Sequence, residues 1–446
     1  MDFAEAVRYL YGLGHETLAM KLGLENVARL LSALDGPHEK FPSVQIAGTN
    51  GKGSVAAMLD AICRAAGIET GLYTSPHLVS ITERIRLGGK EIAPDDFARC
   101  AWRVRAAAES VARETGALPT FFEQVTAIAL CAFSQAPVQL AILETGLGGR
   151  LDATTAAGAQ TVALTPIDFD HQEYLGSTLE EIAAEKAAII RPQTRSVVVA
   201  PQRAAAMRVI EERARACGVA LRVVRDDFSV TGAFDVGRLR VSFATELERY
   251  EEVRLSLRGR HQAVNAAVAI ALAEALRERG FAISRRAIVQ GLETAEHAGR
   301  LELIDARPKL LLDGAHNVAG ARALRAFLDE FVESPITLIF GAMRDKEIAA
   351  IAEILFSASR NVILTRPMNQ RAATLESLFM ALPHGFDRRR IEAAPSARDA
   401  LEIARTITTD EGLICVTGSL YLVGEVKALI GEEGISLAGA AHEPHC

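Results

Sequence analysis

The sequence has no CxxC pair. Its six cysteines, Cys63, Cys100, Cys131, Cys217, Cys415 and Cys446, are scattered, which excludes a disulfide framework and a thiolate metal site and leaves buried thiols in a reducing compartment. No apolar run reaches membrane-spanning length. The start Met1-Asp2-Phe3-Ala4-Glu5 has neither the basic stretch nor the apolar core of a secretion signal. The expectation is a cytoplasmic protein with no membrane partner. An excess of basic charge is missing as well. The net charge is -7, so no general grip on nucleic acid is expected, and an anionic substrate needs a local basic pocket. No G-x-G-x-x-G follows a strand, which argues against dinucleotide binding. Asp345-Lys346 sits in Arg344-Asp345-Lys346-Glu347, which is not the guanine-reading N-K-x-D of a GTPase switch.

What is present is 446 residues, 49% hydrophobic and 24% charged, enough for two or three domains with a sizeable core. The rhythm is a short apolar strand, a glycine or polar turn, then an amphipathic helix, which predicts parallel sheets covered by helices in an α/β fold. Strands read at 44–47, 69–74, 138–143, 161–166 and 196–200, with helices at 54–66, 94–115, 121–134, 178–190 and 204–217. From Phe228 to Leu257 the period shifts towards two, predicting antiparallel strands, and a helix follows at 262–279. A second βα series begins near Lys309, with strands at 309–312, 336–340, 361–365 and 413–416. The expected division is 1–297, 298–430 and a frayed tail 431–446.

The strand at 44–47 runs into Gly48-Thr49-Asn50-Gly51-Lys52-Gly53-Ser54, which opens a helix. Glycines let backbone N–H groups turn onto phosphate oxygens, the helix start adds partial positive charge, and Lys52 adds a full one. The spacing departs from the general G-x-x-x-x-G-K-[ST] loop, because Gly53 stands where that motif has its hydroxyl and Ser54 comes one later. The competing reading is a glycine turn with a solvated lysine.

In a doubly wound sheet, ligands bind beyond the carboxyl ends of the strands. Ser75-Pro76-His77, Glu144, and Asp168, Asp170 and His171 all fall at such ends. Ser75 and Glu144 suit Mg²⁺, which takes few protein oxygens plus water and nucleotide phosphate. From chemistry alone His171 is only metal-adjacent. Each of these residues has a rival reading as a turn polar group or cap. Lys186 lies four residues after Ile182 on the apolar face of the 178–190 helix, which Thr178 and Glu181 open as a capping box. Either it snorkels to water, or it is a partly buried amine of lowered pKa, able to react or be modified.

These motifs together resemble the folylpolyglutamate synthase/dihydrofolate synthase branch of the Mur ligases. The resemblance rests on 47–55, Ser75-Pro76-His77-Leu78, Glu83-Arg84-Ile85, Thr120-Phe121-Phe122-Glu123, 144–154, Asp170-His171 and Glu185-Lys186-Ala187. It continues through Gly259-Arg260-His261-Gln262, Asn265-Ala266, Gly299-Arg300-Leu301-Glu302, Asp313-Gly314-Ala315-His316-Asn317, Asp345-Lys346 and Gly418-Ser419-Leu420-Tyr421-Leu422. It implies an N-terminal P-loop ATPase domain, a C-terminal Rossmann-like domain and an active site between them. It implies ATP on Gly48, Thr49, Asn50, Gly51, Lys52, Gly53, Ser54, Asn265, Arg300, Asp313 and His316. Mg²⁺ is implied on Ser75, Glu144 and His171, with Lys186 carbamylated near a second metal. Phe122, Glu123, Arg150, Leu151, Asp152 and Ala153 are implied to line the pterin or pteroate pocket. Lys186, Lys52 and His171 are the implied catalytic set.

Each has a bland rival. Asn265 and His261 as helix-start cross-links, Asp313 as an N-cap, Arg300 as a linker residue, and Phe122 and Glu123 as helix-start residues all remain open. The implied reaction is ATP-dependent joining of L-glutamate to a folate carboxylate through an acyl phosphate, by a monomer. The alternatives are a dihydrofolate synthase acting on dihydropteroate and, in another class, a nucleotide-dependent switch. The sequence departs from the family pattern at His297-Ala298, Val318, Thr155 and Ala188. Lys21-Leu22-Gly23 falls where dual-function members often carry Asp-Leu-Gly, which weakens the dihydropteroate reading.

Overall fold

The computed structural model describes residues 2–14, 23–225 and 227–433. Residues 21 and 22, part of the Lys21-Leu22-Gly23 departure, lie outside the described residues, as does most of the expected tail. By contact the chain divides into two units. The first comprises 1–230, 241–255 and 263–296, and the second comprises 231–240, 256–262 and 297–446. The second unit thus includes two short stretches, 231–240 and 256–262, that precede its main span in the chain.

The first unit is built on an eight-stranded sheet: β1 (Ser43–Ala47), β2 (Thr70–Tyr73), β3 (Ile85–Leu87), β4 (Lys90–Glu91), β5 (Leu140–Glu144), β6 (Thr161–Leu164), β7 (Ser196–Val199) and β8 (Leu221–Val223), in the order β4-β3-β2-β5-β1-β6-β7-β8. β2, β5, β1, β6, β7 and β8 pair in parallel; β3 and β4 add an antiparallel edge. The central strands are buried along their whole length, as apolar runs covered by helices on both faces should be. One core packs helices Pro94–Thr115 and Phe121–Gln135 around Tyr73, Phe97, Phe133 and Leu143. Another packs Ile182, Ile189, Ile190 and Ile210 on Val162, Leu164 and Val199.

Register places the site. Ile46 pairs with Glu144 and Ala47 with Leu164, while Tyr73 pairs with Leu143. Four strands therefore end within two residues of one another, and the residues just beyond them (Gly48, Thr74-Ser75, Thr145 and Thr165) lie along one edge of the sheet.

Between the two βα series lie β9 (Ser229–Asp235), β10 (Arg238–Ala244) and β11 (Arg249–Arg254), a three-stranded sheet in the order β11-β10-β9. The second unit holds a six-stranded sheet of β12 (Glu302–Ile304), β13 (Lys309–Leu312), β14 (Ile336–Phe340), β15 (Asn361–Thr365), β16 (Ile391–Ala394) and β17 (Leu413–Thr417), ordered β12-β13-β17-β14-β15-β16. All its pairs are parallel except β12 with β13. Its core includes Leu311, Leu324, Phe327, Leu338, Phe340 and Phe356. Among the described residues no helix is long and apolar enough to cross a membrane. The five described cysteines are free.

Candidate active site

The glycine loop needs backbone shapes that side chains resist. Gly48 has φ 148°, and a Cβ there would overlap Thr165 Oγ1; Gly51 has φ 88°, and a Cβ there would overlap Asn265 Oδ1. Asn265 therefore packs directly on the loop, from the helix His261–Glu278. The loop is braced from behind. The amides of Thr49 and Asn50 donate to Pro166 O at 3.0 and 3.3 Å. Thr49 Oγ1 donates to Asp168 O at 2.9 Å and accepts from Asp168 N at 3.0 Å. Those two loop amides are committed to the brace. The donors ahead of the first intrahelical bond, Val55 N to Gly51 O at 2.9 Å, belong to Lys52, Gly53 and Ser54, where a helix start receives an anion.

Both candidate lysines turn onto this loop. Lys52 Nζ donates to Gly48 O and Thr49 O, each at 3.2 Å. Lys186 Nζ donates to Gly48 O at 2.9 Å, and the residue is only 4% exposed. The snorkelling reading fails, because the chain of Lys186 runs inward. Burial, and secondarily the charge of Lys52, bring its pKa down from 10.5 to about 7, with Asp170 and Asp152 pulling the other way. A lysine in that state is partly a neutral, nucleophilic amine near pH 7. The helix that carries it, Leu179–Ala187, is opened by the Thr178/Glu181 capping box, and Ala188 ends it at φ -65°, where glycine is not needed.

Glu144 ends β5 and its carboxylate accepts from Ser75 N at 3.1 Å. Ser75 itself is held by a stiff loop, since Glu83 accepts from the amides of Leu78, Val79 and Ser80 at 2.8, 2.8 and 2.7 Å. His171 has φ 50° at the start of the short helix Gln172–Leu175, and its amide donates to Asp170 Oδ1 at 2.9 Å. Among the described residues no group of three or more His, Cys, Asp or Glu forms a metal cage. A serine whose backbone amide is bonded to one carboxylate fits Mg²⁺ all the same, since that ion takes one or two protein oxygens and fills the rest with phosphate and water.

The expected pocket residues behave differently from one another. Phe122 packs against Gly146, whose added Cβ would meet the Phe122 ring at 2.5 Å. Glu123 closes the capping box of its helix, accepting from Thr120 N at 2.7 Å. Asp152 is buried and holds the loop 147–154 together: it accepts from Leu147 N at 2.9 Å and from Thr154 N and Oγ1 at 3.0 and 2.5 Å. Burial pushes its pKa up despite these bonds. Arg150 pairs with Glu185 at 2.8 Å on the surface, Leu151 is exposed, and Ala153 is buried.

In the second unit, Asp313 follows β13. Its two oxygens accept from Leu301 N at 2.9 Å and Ala315 N at 3.0 Å, which holds Leu301 at φ 46°. It is not the N-cap of the next helix; Asn317 is, accepting from Gly320 N at 2.8 Å. Burial pushes the Asp313 pKa up, with Arg300 opposing. Arg300 donates to Gly314 O at 3.3 Å. His316 Nδ1 lies 2.8 Å from that same carbonyl, which can only accept, so Nδ1 carries the proton. His261 is held neutral, its pKa lowered to about 4 by burial and by Arg300.

Gln45 carries no motif that marks it in the sequence. It sits in the fully buried β1, and its Nε2 lies 3.1, 2.9 and 2.7 Å from the hydroxyls of Thr145, Thr154 and Thr155. A glutamine in Ser43-Val44-Gln45-Ile46-Ala47 was the available signal, because a polar group in a central strand needs partners.

Comparison with known proteins decides the family. The Mur ligase middle domain model matches residues 46–273, and that of the Mur ligase glutamate ligase domain matches 299–420. The chain belongs to the Mur ligase family. It is 32% identical to the dihydrofolate synthase/folylpolyglutamate synthase of Mycobacterium tuberculosis, over 92% of this chain and 90% of that one. It is 36% identical to a probable bifunctional folylpolyglutamate synthase/dihydropteroate synthase of Haloferax volcanii, over 96% of this chain. It spans only half the length of that relative. A solved bifunctional folylpolyglutamate synthase/dihydrofolate synthase from Yersinia pestis, complexed with AMPPNP and Mn ion, is similar with TM-score 0.82 and 28% identity, over 97% and 98% of the two chains. The chain is thus a ligase of the folylpolyglutamate synthase/dihydrofolate synthase branch.

Proposed function

We propose that this ligase joins L-glutamate to the terminal glutamate carboxylate of a folate at the expense of ATP, as a cytoplasmic monomer. The observation that carries the reading is the buried Lys186 amine bonded to the carbonyl of Gly48 in the phosphate loop. A carboxylate does not condense with an amine unaided, because oxide is a poor leaving group. A carboxylate oxygen of the folate therefore first attacks the γ-phosphorus of ATP, and the bond to the bridging oxygen breaks, releasing ADP. The α-amine of glutamate then attacks the acyl carbon, the carbon–oxygen bond to phosphate breaks, and the amine's proton leaves to water.

Lys52 and the helix start at Lys52–Ser54 spread the charge of the transferring phosphoryl group. Ser75, Glu144 and His171 would hold a divalent cation that neutralises phosphate charge. Lys186, as its neutral amine, would add to carbon dioxide with loss of one proton and become a carbamate, converting a buried neutral group into an anion. Asn265 and, in the second unit, Arg300, Asp313 and His316 would serve the nucleotide, and Phe122, Arg150 and 151–153 would serve the acceptor.

The test is to incubate the protein with ATP, Mg²⁺ and L-glutamate, with tetrahydrofolate or dihydropteroate as acceptor, and to resolve products by mass. Glutamylated tetrahydrofolate is expected. Glutamylation of dihydropteroate would add the second activity that the M. tuberculosis relative's name carries. Nucleotide hydrolysis indifferent to folate and glutamate would favour a switch and overturn the reading.

A further inference from the structure

Beside the Ser75–Glu144 pair lies a cluster that the proposed chemistry does not use. Tyr11, in the helix Phe3–Gly12, is 53% exposed. Its ring lies parallel over that of Phe121, with centroids 5.9 Å apart and planes 7° apart. Phe121 is buried and opens the helix that also carries Phe122. Its ring in turn receives the Arg84 guanidinium, 5.5 Å from the centroid.

A hydrogen-bond chain fixes the tyrosine. Arg84 Nε donates to His77 Nδ1 at 2.8 Å. A guanidinium cannot accept, so Nδ1 presents its lone pair and the ring proton sits on Nε2. His77 Nε2 lies 3.1 Å from the Tyr11 hydroxyl and therefore donates to it, which sets the direction of the phenol group. Arg84 is 2% exposed, so the chain is anchored in the core while its last member stands in solvent.

Two links tie this cluster to the candidate site. His77 follows Ser75 by two residues on the loop that Glu83 stiffens. Phe121 precedes Phe122, which packs against Gly146 just beyond Glu144. A half-exposed aromatic ring held in a fixed plane from both its face and its hydroxyl resists the rotation an ordinary surface tyrosine enjoys, and that pre-organisation favours binding a flat ring.

We infer that Tyr11, set by Phe121 and by the Arg84–His77 chain, is a stacking platform for the planar aromatic part of the acceptor. This rests on the folate reading above and adds a specificity-determining residue to it.

The test compares wild type with Tyr11→Ala, Tyr11→Phe and His77→Gln in steady-state ligation, using tetrahydrofolate, ATP and L-glutamate. Tyr11→Ala is expected to raise KM for tetrahydrofolate about tenfold, the order that one aromatic stacking contact supplies. KM for ATP and for glutamate should stay within about twofold. Tyr11→Phe keeps the stack and should recover most of the loss, and His77→Gln should fall between. Melting temperatures of all variants are read alongside. An unchanged KM for tetrahydrofolate in Tyr11→Ala would overturn the platform. So would equal losses against all three substrates, since that is what a structural role produces. If wild type itself ligates no folate, the functional reading fails first, which the wild-type arm reports on its own.

Discussion

Two buried ionisable groups, one in each unit, have been placed under the same stress and resolved it differently. Lys186 in the first unit and Asp313 in the second each have a pKa that burial has moved towards the neutral form. Among the described residues Lys186 has one hydrogen-bond partner, the carbonyl of Gly48, with the charges of Asp170 and Asp152 acting on it without a hydrogen bond. Asp313 has two backbone amides, one on each oxygen. The carboxylate therefore has a structural task, pinning Leu301 in a left-handed conformation that a leucine resists. The lysine pins little. A charge buried at a cost, with little structural return, is what a reactive group looks like.

The comparison breaks most cleanly at Lys186. Replacing it with alanine should lower kcat of glutamate ligation by at least about 10²-fold, the scale of one charged group lost from a phosphoryl-transfer site, while the protein stays folded. The pH dependence of stability sharpens the point. With Lys186 as its unmodified amine, between about 7 and the usual 10.5 the unfolded state holds a proton that the native lysine has released. Stability should therefore rise with pH across that window, by roughly 5 kcal/mol in all, and Lys186→Met should abolish the rise. Urea denaturation of both proteins from pH 7 to pH 9.5 measures it. Asp313 carries the opposite sign. Its native pKa is raised, so its contribution falls as pH climbs above the ordinary carboxylate value.

Asp313→Ala is the next largest effect and should appear in stability. Two buried amides lose their acceptor and Leu301 loses what holds it, at a cost of about 2–4 kcal/mol. Asp313→Asn keeps one acceptor and should cost about half as much. Thermal unfolding separates the two. If Asp313→Ala melts like wild type and only activity falls, then the carboxylate serves the nucleotide alone and the contrast with Lys186 disappears.

The sequence made the strands of both parallel sheets legible where apolar runs were long. β13, β14 and β15 fall where the pattern put them, and β1, β5, β6, β7 and β17 within one or two residues of it. It missed β16, whose Ile391-Glu392-Ala393-Ala394 is an edge strand with a single buried residue and hence no apolar run. It also missed β3 and β4, too short to show a period. The helix Arg285–Thr294 was missed as well; it packs Gly291 onto the backbone of Ile62 at a distance no side chain allows, a tertiary fact invisible in the local pattern. At the candidate site, strand ends grouped the candidate residues, but periodicity could not say where side chains turn. The inward path of Lys186, the latch formed by Gln45 and the backbone duties of Asp152 and Asp313 all depend on tertiary contacts that no local pattern encodes.

Gln45 tests that last point at a smaller scale. Gln45→Leu fits the volume but leaves the hydroxyls of Thr145, Thr154 and Thr155 without their common amide, so it should cost about 1–3 kcal/mol. The loss should come with a raised KM for the acceptor, because those threonines flank the loop that Asp152 holds.

Arg150 should give the smallest change and the sharpest discrimination within the pocket. Its partner Glu185 lies one residue before Lys186, and the Arg150 side chain is 49% exposed. An exposed pair of this kind contributes less than about 1 kcal/mol, so Arg150→Ala should barely shift the melting temperature. If its place is only to tie the glycine-rich loop to the Lys186 helix, KM for the folate will be unchanged as well. If it meets the acceptor's carboxylates, KM for a folate bearing several glutamates should rise more than KM for one bearing a single glutamate. Comparing the two acceptors on the same variant decides between a surface tie and a substrate contact.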